Sequence, residues 1–163
     1  MKKRIIIVLF LIISLFTITA CKDKNKENIP EKIEEDRLII NDYDLTLNKD
    51  EEFENLKYKI PDGTSTNNYG NYIILDYNNP NNEEEVLFNI TITKYGYVNV
   101  DDIVKEIKEK KKINGLEWIV SNIDGHNTYA IQDGHNTYTV SFIFDENLNG
   151  FEEEFMKNIK IIE

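Results

Sequence analysis

A hexapeptide that occurs twice constrains this chain more than any other feature. Asp124-Gly-His-Asn-Thr-Tyr129 recurs unchanged as Asp133-Gly-His-Asn-Thr-Tyr138. Asp-Gly is a preferred pair for the two-residue type I′ turn, which needs positive φ at both central positions, so the repeat predicts two successive hairpins. A turn at Asp124-Gly125 places Val120 opposite Tyr129 and Trp118 opposite Ile131. A turn at Asp133-Gly134 places Tyr129 opposite Tyr138 and Asn127 opposite Val140. In that register Leu116, Trp118, Val120, Tyr129, Ile131, Tyr138, Val140, Phe142 and Phe144 share one face of a three-stranded meander. Glu117, Ser121, Thr128, Gln132, His135, Thr137, Thr139 and Ser141 take the other, with Ile119, Ala130 and Ile143 as its apolar members. A one-residue slip would scramble this division, so the meander is strongly specified.

Other segments extend the sheet. Leu38-Ile39-Ile40 with Tyr43, Leu45 and Leu47 forms an opening strand or hairpin arm, and Leu56, Tyr58 and Ile60 alternate up to a turn at Pro61-Asp62-Gly63. Tyr72 to Tyr77 is apolar on both faces, as in a central strand, and a loop at 78–82 leads to a strand carrying Val86, Phe88, Ile90 and Ile92. The period then changes to 3.6. Val100, Ile103, Val104 and Ile107 line one helical face, with Asn99 as cap, Asp101 and Asp102 in the first turn, Lys108, Lys110, Lys111 and Lys112 in the last, and Asn114-Gly115 as the stop. Phe151, Phe155, Met156 and Ile159 mark a second amphipathic helix, with Asn149 as cap and Glu152 three positions on. The expected fold class is α+β, an antiparallel β-sheet of about six or seven strands with two flanking amphipathic helices, in one domain over 38–163.

The N-terminus has a different character. Lys2-Lys3-Arg4 precede Ile5 to Thr19, a 15-residue apolar run, and residues 1–20 contain no acid. The run falls short of the roughly 20 residues that span a bilayer, so 1–20 reads as a signal peptide. Ile18-Thr19-Ala20-Cys21 resembles the bacterial lipobox. That resemblance implies diacylglyceryl transfer to the Cys21 thiol, cleavage between Ala20 and Cys21, and a lipid anchor on the extracytoplasmic face of the cell membrane. Cys21 is the sole cysteine, so it has no intramolecular disulfide partner, and lipidation removes thiolate chemistry from the domain. Two acyl chains hold a protein stably where one does not. Residues 21–37 form a charged tether with 11 charged side chains among positions 22–37, able to reach roughly 50 Å when extended at about 3.3 Å per residue.

Without the leader the chain carries 16 basic and 30 acidic side chains, a formal charge of −14. Such a domain repels phosphates unless it has a concentrated basic face, which argues against nucleic acid as a partner. The 21 Asn against 2 Ala match the bias of an AT-rich bacterial genome.

Candidate sites are few. His126 and His135 invite a metal reading, but the register puts His135 beside the second turn and His126 near Ile123 and Ser141, about 20 Å away, so they read as turn-flanking surface residues. The Asp76–Glu85 loop offers oxygen ligands for Ca²⁺ yet departs from the EF-hand pattern, with Pro80 at its fifth position and Asn81 where the turn needs Gly. The lysines at 108–112 form the one basic patch, explained by the helix C-terminus or by docking to anionic headgroups and wall polymers. Tyr69, Tyr72, Tyr95 and Tyr97 near strand ends suit a ligand-binding rim or loop anchoring. No phosphate loop, dinucleotide fingerprint, nucleophile elbow or zinc-binding helix motif occurs, so no catalytic residue, metal site or cofactor is expected.

Three stretches, NLKYKIPDG (Asn55–Gly63), NGLEW (Asn114–Trp118) and FEEEFMKNIKII at the C-terminus, together with the order strands, helix, three-stranded meander, helix, resemble the PsbP-like group over about residues 38–162. The resemblance implies an α/β/α sandwich and an accessory or assembly role, with no catalytic residues to carry over. The expected function is that of a membrane-anchored, non-enzymatic lipoprotein with a protein partner at the cell surface. A small-ligand or cation-binding lipoprotein for uptake or sensing is the alternative.

Overall fold

Short turns with left-handed residues fold this chain back on itself repeatedly. The structure, a computed structural model, describes residues 37–104, 109–123, 125–144, 148 and 150–162. The opening hairpin joins β1 (Ile39–Ile40) to β2 (Tyr43–Asp44) through Asn41 and Asp42, both at positive φ (50° and 68°), residue types that tolerate that region well. A second hairpin joins β3 (Lys49–Phe53) to β4 (Leu56–Ile60), and the C-terminal β12 (Lys160–Ile161) adds to the free side of β4, giving a three-stranded sheet. The next strands are β5 (Ser65–Asn68), β6 (Tyr72–Asn79) and β7 (Asn82–Gly96). After a single helical turn, α1 (Val100–Ile103), come β8 (Glu109–Ile113), β9 (Leu116–Ile123), β10 (His126–Asp133) and β11 (Asn136–Phe144), then α2 (Phe151–Asn158).

The main sheet has seven antiparallel strands in the order β5-β6-β7-β11-β10-β9-β8. All nine residues assigned to the apolar face of the meander join the main core, with Leu116 and Phe144 partly buried at its margin. α2 closes that face. Its Phe151 stacks on Phe88 of β7 at 4.7 Å, and Phe155 meets Phe142 of β11 edge-on at 5.6 Å while lying 6.0 Å from Tyr58 of β4. Helix and small sheet thus cover the core together, each fully buried aromatic ring contributing about 1.5–3 kcal/mol. On the opposite face Val100, Ile103 and Val104 pack over Ile119 and Ala130, a separate small cluster. Among the described residues the fold is therefore predominantly antiparallel β with two short helices, so the expected antiparallel sheet is present while the helical share of an α+β fold is small.

Several expectations are corrected. The first helix ends at Ile103, and Lys110, Lys111 and Lys112 lie on β8, at the edge of the sheet. Asn114 and Gly115 both take positive φ (49° and 80°), and Ile113 pairs with Leu116, so Asn-Gly is a type I′ hairpin turn here and not a helix stop. Ile107 and Lys108 lie outside the described residues.

The expected loop at 78–82 is a tight turn at Pro80-Asn81, because β6 and β7 run on to Asn79 and Asn82 through irregular pairing at Tyr77–Asn79. α2 begins after Gly150, whose φ of 90° suits glycine; Asn149 is outside the described residues. β3 and β5, rich in charged and polar side chains, carry no sequence signal of strand.

The meander differs in one register. β9 and β10 pair as expected, Val120 opposite Tyr129. Between β10 and β11, however, Tyr129 faces Val140, Ile131 faces Tyr138, and Asp133 closes the turn with Asn136. The two central residues are Gly134 and His135, with positive φ (58°) at Gly134 alone, the sign pattern of a type II′ turn. A shift of two residues leaves each side chain on its face, so the hydrophobic pattern cannot distinguish the two registers.

Candidate functional site

The second face of the sheet is only half covered, and that is where the described surface is most distinctive. Over β8, β9 and β10, α1 leaves an open cleft of about 430 Å³ lined by Val100, Asp101, Lys110, Glu117, Ile119, Ala130, Ile131 and Gln132. This size lies within the range of small-ligand sites. The floor is apolar. Its rim carries the exposed Lys110–Glu117 ion pair (3.1 Å) and Gln132, whose amide oxygen accepts from the Val100 N–H at 3.1 Å and so fixes α1 to β10. Two residues along β9 from Ile119, the Ser121 hydroxyl is buried and has no hydrogen-bond partner among the described residues. Such a cleft can hold a small amphipathic molecule, with one apolar side and one group for the charged pair.

The other half, over β5, β6, β7 and β11, has no helix on it among the described residues. Here the pairing aligns Tyr72 with Thr93 and Thr139, and Ile74 with Thr91 and Ser141. Tyr95 follows Thr93 on the same face, opposite Thr137. Tyr69, which caps the turn between β5 and β6, stacks on Tyr72 at 4.8 Å and 13°. Tyr97, at φ 60°, stacks on His135 at 5.7 Å, and its N–H donates to the His135 carbonyl at 2.7 Å. All four tyrosines of the sequence-defined rim therefore gather at one end of the sheet. The exposures of Tyr69 (55%) and Tyr97 (89%) argue against simple packing roles for those two.

The remaining sequence candidates separate. His126 opens β10 opposite Ile123, while His135 occupies the turn beyond the other end of that strand. Ser141, expected near His126, faces Thr128 and is hydrogen-bonded to it at 2.9 Å. Among the described residues no group of three or more His, Cys, Asp and Glu side chains is arranged to hold a metal. In the Asp76–Glu85 segment, Asp76 accepts from Asn89 at 2.6 Å and Asn67 at 3.4 Å, and Asn79 donates to Glu85 at 2.9 Å, so the carboxylates at the two ends of the segment are engaged by neighbouring amides. The lysines of β8 guard a sheet edge, where like charge discourages strand addition. Ala20, Cys21 and the tether through residue 36 lie outside the described residues.

The shifted titrations are structural in origin. Burial, followed by a hydrogen bond to the Glu152 carboxylate, pushes the Tyr129 hydroxyl well above the ordinary phenol range. Burial and the Glu51 charge do the same at Tyr58. Asp44 is held below the usual carboxylate range first by hydrogen bonds from Thr46 and Arg37. The cleft itself was not legible as a site. Its one visible sign was the apolar pair Ile119 and Ala130 on an otherwise polar face.

No family model and no curated protein matches the chain. A protein of Bacteroides thetaiotaomicron, solved by crystallography at 1.50 Å, is similar in structure over 67% of this chain, at 13% identity and a TM-score of 0.45. The chain spans just under half of that protein, 46% of its length.

Proposed function

We propose that this chain is an exported bacterial lipoprotein, anchored by a diacylglyceryl group on Cys21 after cleavage behind Ala20, and that its domain is a non-enzymatic accessory module that engages a protein partner outside the membrane. The observation that carries the reading is Ile18-Thr19-Ala20-Cys21 at the end of a short apolar run, with no other cysteine in the chain. The charged segment 22–37 supports it by supplying reach between bilayer and domain. The order of elements supports a PsbP-like α/β/α sandwich, with α1 and α2 on opposite faces of the main sheet. Labelling cells with a fatty-acid analogue tests the anchor. The wild type should be labelled and sediment with membranes, whereas Cys21→Ala should be unlabelled; equal labelling of the two refutes the anchor. Crosslinking on intact cells followed by pull-down should return one recurrent partner. Recovery of the free protein alone, together with a robust hydrolytic activity, refutes the accessory role.

The cleft beside α1 favours a second reading, a small-ligand lipoprotein for uptake or sensing. A cognate ligand at 100 times its dissociation constant stabilises the fold by about 2.7 kcal/mol, which a thermal-shift screen detects. Loss of that shift in Lys110→Ala would assign it to the cleft.

A further inference from the structure

The open half of the second face is chemically unlike the rest of this molecule. Charged residues make up 30% of the chain, yet the 13 consecutive residues Gly63–Leu75 contain none. The register extends that neutrality sideways. Between the tyrosine end of the sheet and Asp76, the second face presents Asn67, Tyr72 with Ile74, and Thr91 with Thr93 and Tyr95, from three adjacent strands, with Thr139 buried beneath and Ser141 bonded to Thr128 on the fourth. Asp76, which terminates the patch, has its carboxylate engaged by Asn67 and Asn89.

From these observations we propose that this surface binds a neutral, linear glycan laid across the strands, with Tyr69, Tyr72 and Tyr95 as stacking platforms. A sugar ring has an apolar C–H face and a belt of hydroxyls that both donate and accept. Its complement is an aromatic face beside amide and hydroxyl groups, which also do both, with no charge to desolvate. Tyr69 leaves one ring face to solvent while its other face rests on Tyr72. Tyr72 and Tyr95 are diagonal neighbours on adjacent strands, about 7–8 Å apart by sheet geometry. No helix among the described residues covers this half and the cleft lies over β8, β9 and β10, so the surface suits a polymer and not an enclosed small molecule. Anionic lipids, nucleic acids and acidic polymers find no lysine or arginine on it. At the same end of the sheet Tyr97 is held in a left-handed conformation and almost fully exposed, a costly arrangement of the kind retained at binding sites.

The test uses the full chain in detergent micelles. Native affinity electrophoresis in gels containing hydroxyethylcellulose should retard it, whereas carboxymethylcellulose, the same backbone with negative charge, should not. Titration calorimetry with chitohexaose, a neutral amino-sugar oligomer, provides a second probe. Tyr69→Ala, which gives up its stack on Tyr72 but no buried packing, and Tyr72→Ala should each leave the chain folded by urea titration and weaken binding about tenfold, the loss of one strong aromatic contact. Lys157→Ala on α2 should bind as the wild type. Failure to bind either neutral probe overturns the proposal. So does equal binding by both tyrosine variants, stronger retardation by the anionic polymer, or sedimentation as a dimer that Tyr69→Ala dissolves. Because this surface lies on the folded domain and does not involve Cys21, loss of fatty-acid labelling leaves glycan binding intact, and loss of glycan binding leaves the anchor intact.

Discussion

Gln132 is where the register of the second hairpin is decided, and replacing it has a calculable cost. Its amide nitrogen donates to the carbonyls of Gly134 (3.1 Å) and Asn136 (3.2 Å), both in or beside the turn. Its oxygen accepts from the Val100 N–H at 3.1 Å and lies 2.9 Å from the Thr137 hydroxyl. The contacts to Gly134, Asn136 and Thr137 belong to the register in which Gly134-His135 forms the turn. Each is worth about 0.5–1.5 kcal/mol net, and Gln132 is exposed, so water replaces part of what is lost; Gln132→Ala should therefore cost about 1–2 kcal/mol. For a domain of this size that lowers Tm by roughly 4–8 °C. Gln132→Glu is the sharper variant, because it sets a carboxylate oxygen against two carbonyl oxygens and should cost at least as much as alanine. Trp118, the sole tryptophan and fully buried, reports the urea transition. If both variants unfold within about 0.3 kcal/mol of wild type, the clamp is absent and the turn belongs at Asp133-Gly134.

Phe155→Ala removes a fully buried ring that contacts Tyr58, Phe142 and Phe151, and should cost about 3–5 kcal/mol in urea unfolding; a loss below about 1 kcal/mol would mean that α2 does not seat on the sheet. Gly134→Ala should cost about 1–2 kcal/mol, and purely through backbone conformation, since a Cβ at that position meets nothing within 4 Å; a neutral result contradicts the positive φ. The raised Tyr58 and Tyr129 hydroxyls favour their neutral form in the folded state, so their stabilisation is complete below the ordinary phenol value of 10.0 and is lost as pH rises above it. Phenolate absorbance at these two positions should therefore emerge together with unfolding. Tyr129→Phe should flatten the alkaline loss, and titration of the full tyrosine complement in the folded protein would refute the burial argument.

What the sequence could fix follows from what each pattern encodes. Alternation encodes face, so the nine core residues of the meander were readable in advance. It does not encode a slip of two residues, and the choice between turns fell to Gln132 within the hairpin and to Val98 and Val100 outside it; the Thr137 hydroxyl, for example, donates to the Val98 carbonyl at 2.6 Å. The segment Val100–Ile113 failed for a different reason. Its apolar spacing fits a helix, but Asn114-Gly115 is among the strongest hairpin signals, and pairing Glu109–Ile113 with β9 joins it to a sheet already formed, whereas a short helix with little tertiary packing is marginal in water. β5 was illegible because its strand character is conferred by β6, the sole neighbour it pairs with. The tyrosine rim was the part of the candidate surface that could be named from sequence; that its members converge required the topology, since β6, β7 and β11 bring residues 69, 72, 95, 97 and 135 to one end of the sheet.

The two copies of Asp-Gly-His-Asn-Thr-Tyr show how much such context weighs. In the first, Ile123 pairs with His126 and Gly125 takes φ 86° at the second central position of the turn; in the second, Gly134 takes φ 58° at the first central position. The hexapeptide admits both because a glycine with free φ stands beside residues content in either arrangement, and the energetic difference between two primed turns is smaller than a few hydrogen bonds. What breaks the tie is the residue before each copy. Ile123 offers no polar group, so the first turn settles on local preference alone, whereas Gln132 offers an amide that holds the two-residue shift and ties the turn to α1. The shift also brings Asn136 opposite Gly96 and sets His135 where Tyr97 can stack on it. One side chain on β10 thus couples the cover of the cleft on one half of the second face to the aromatic rim on the other, so loss of Gln132 should loosen both.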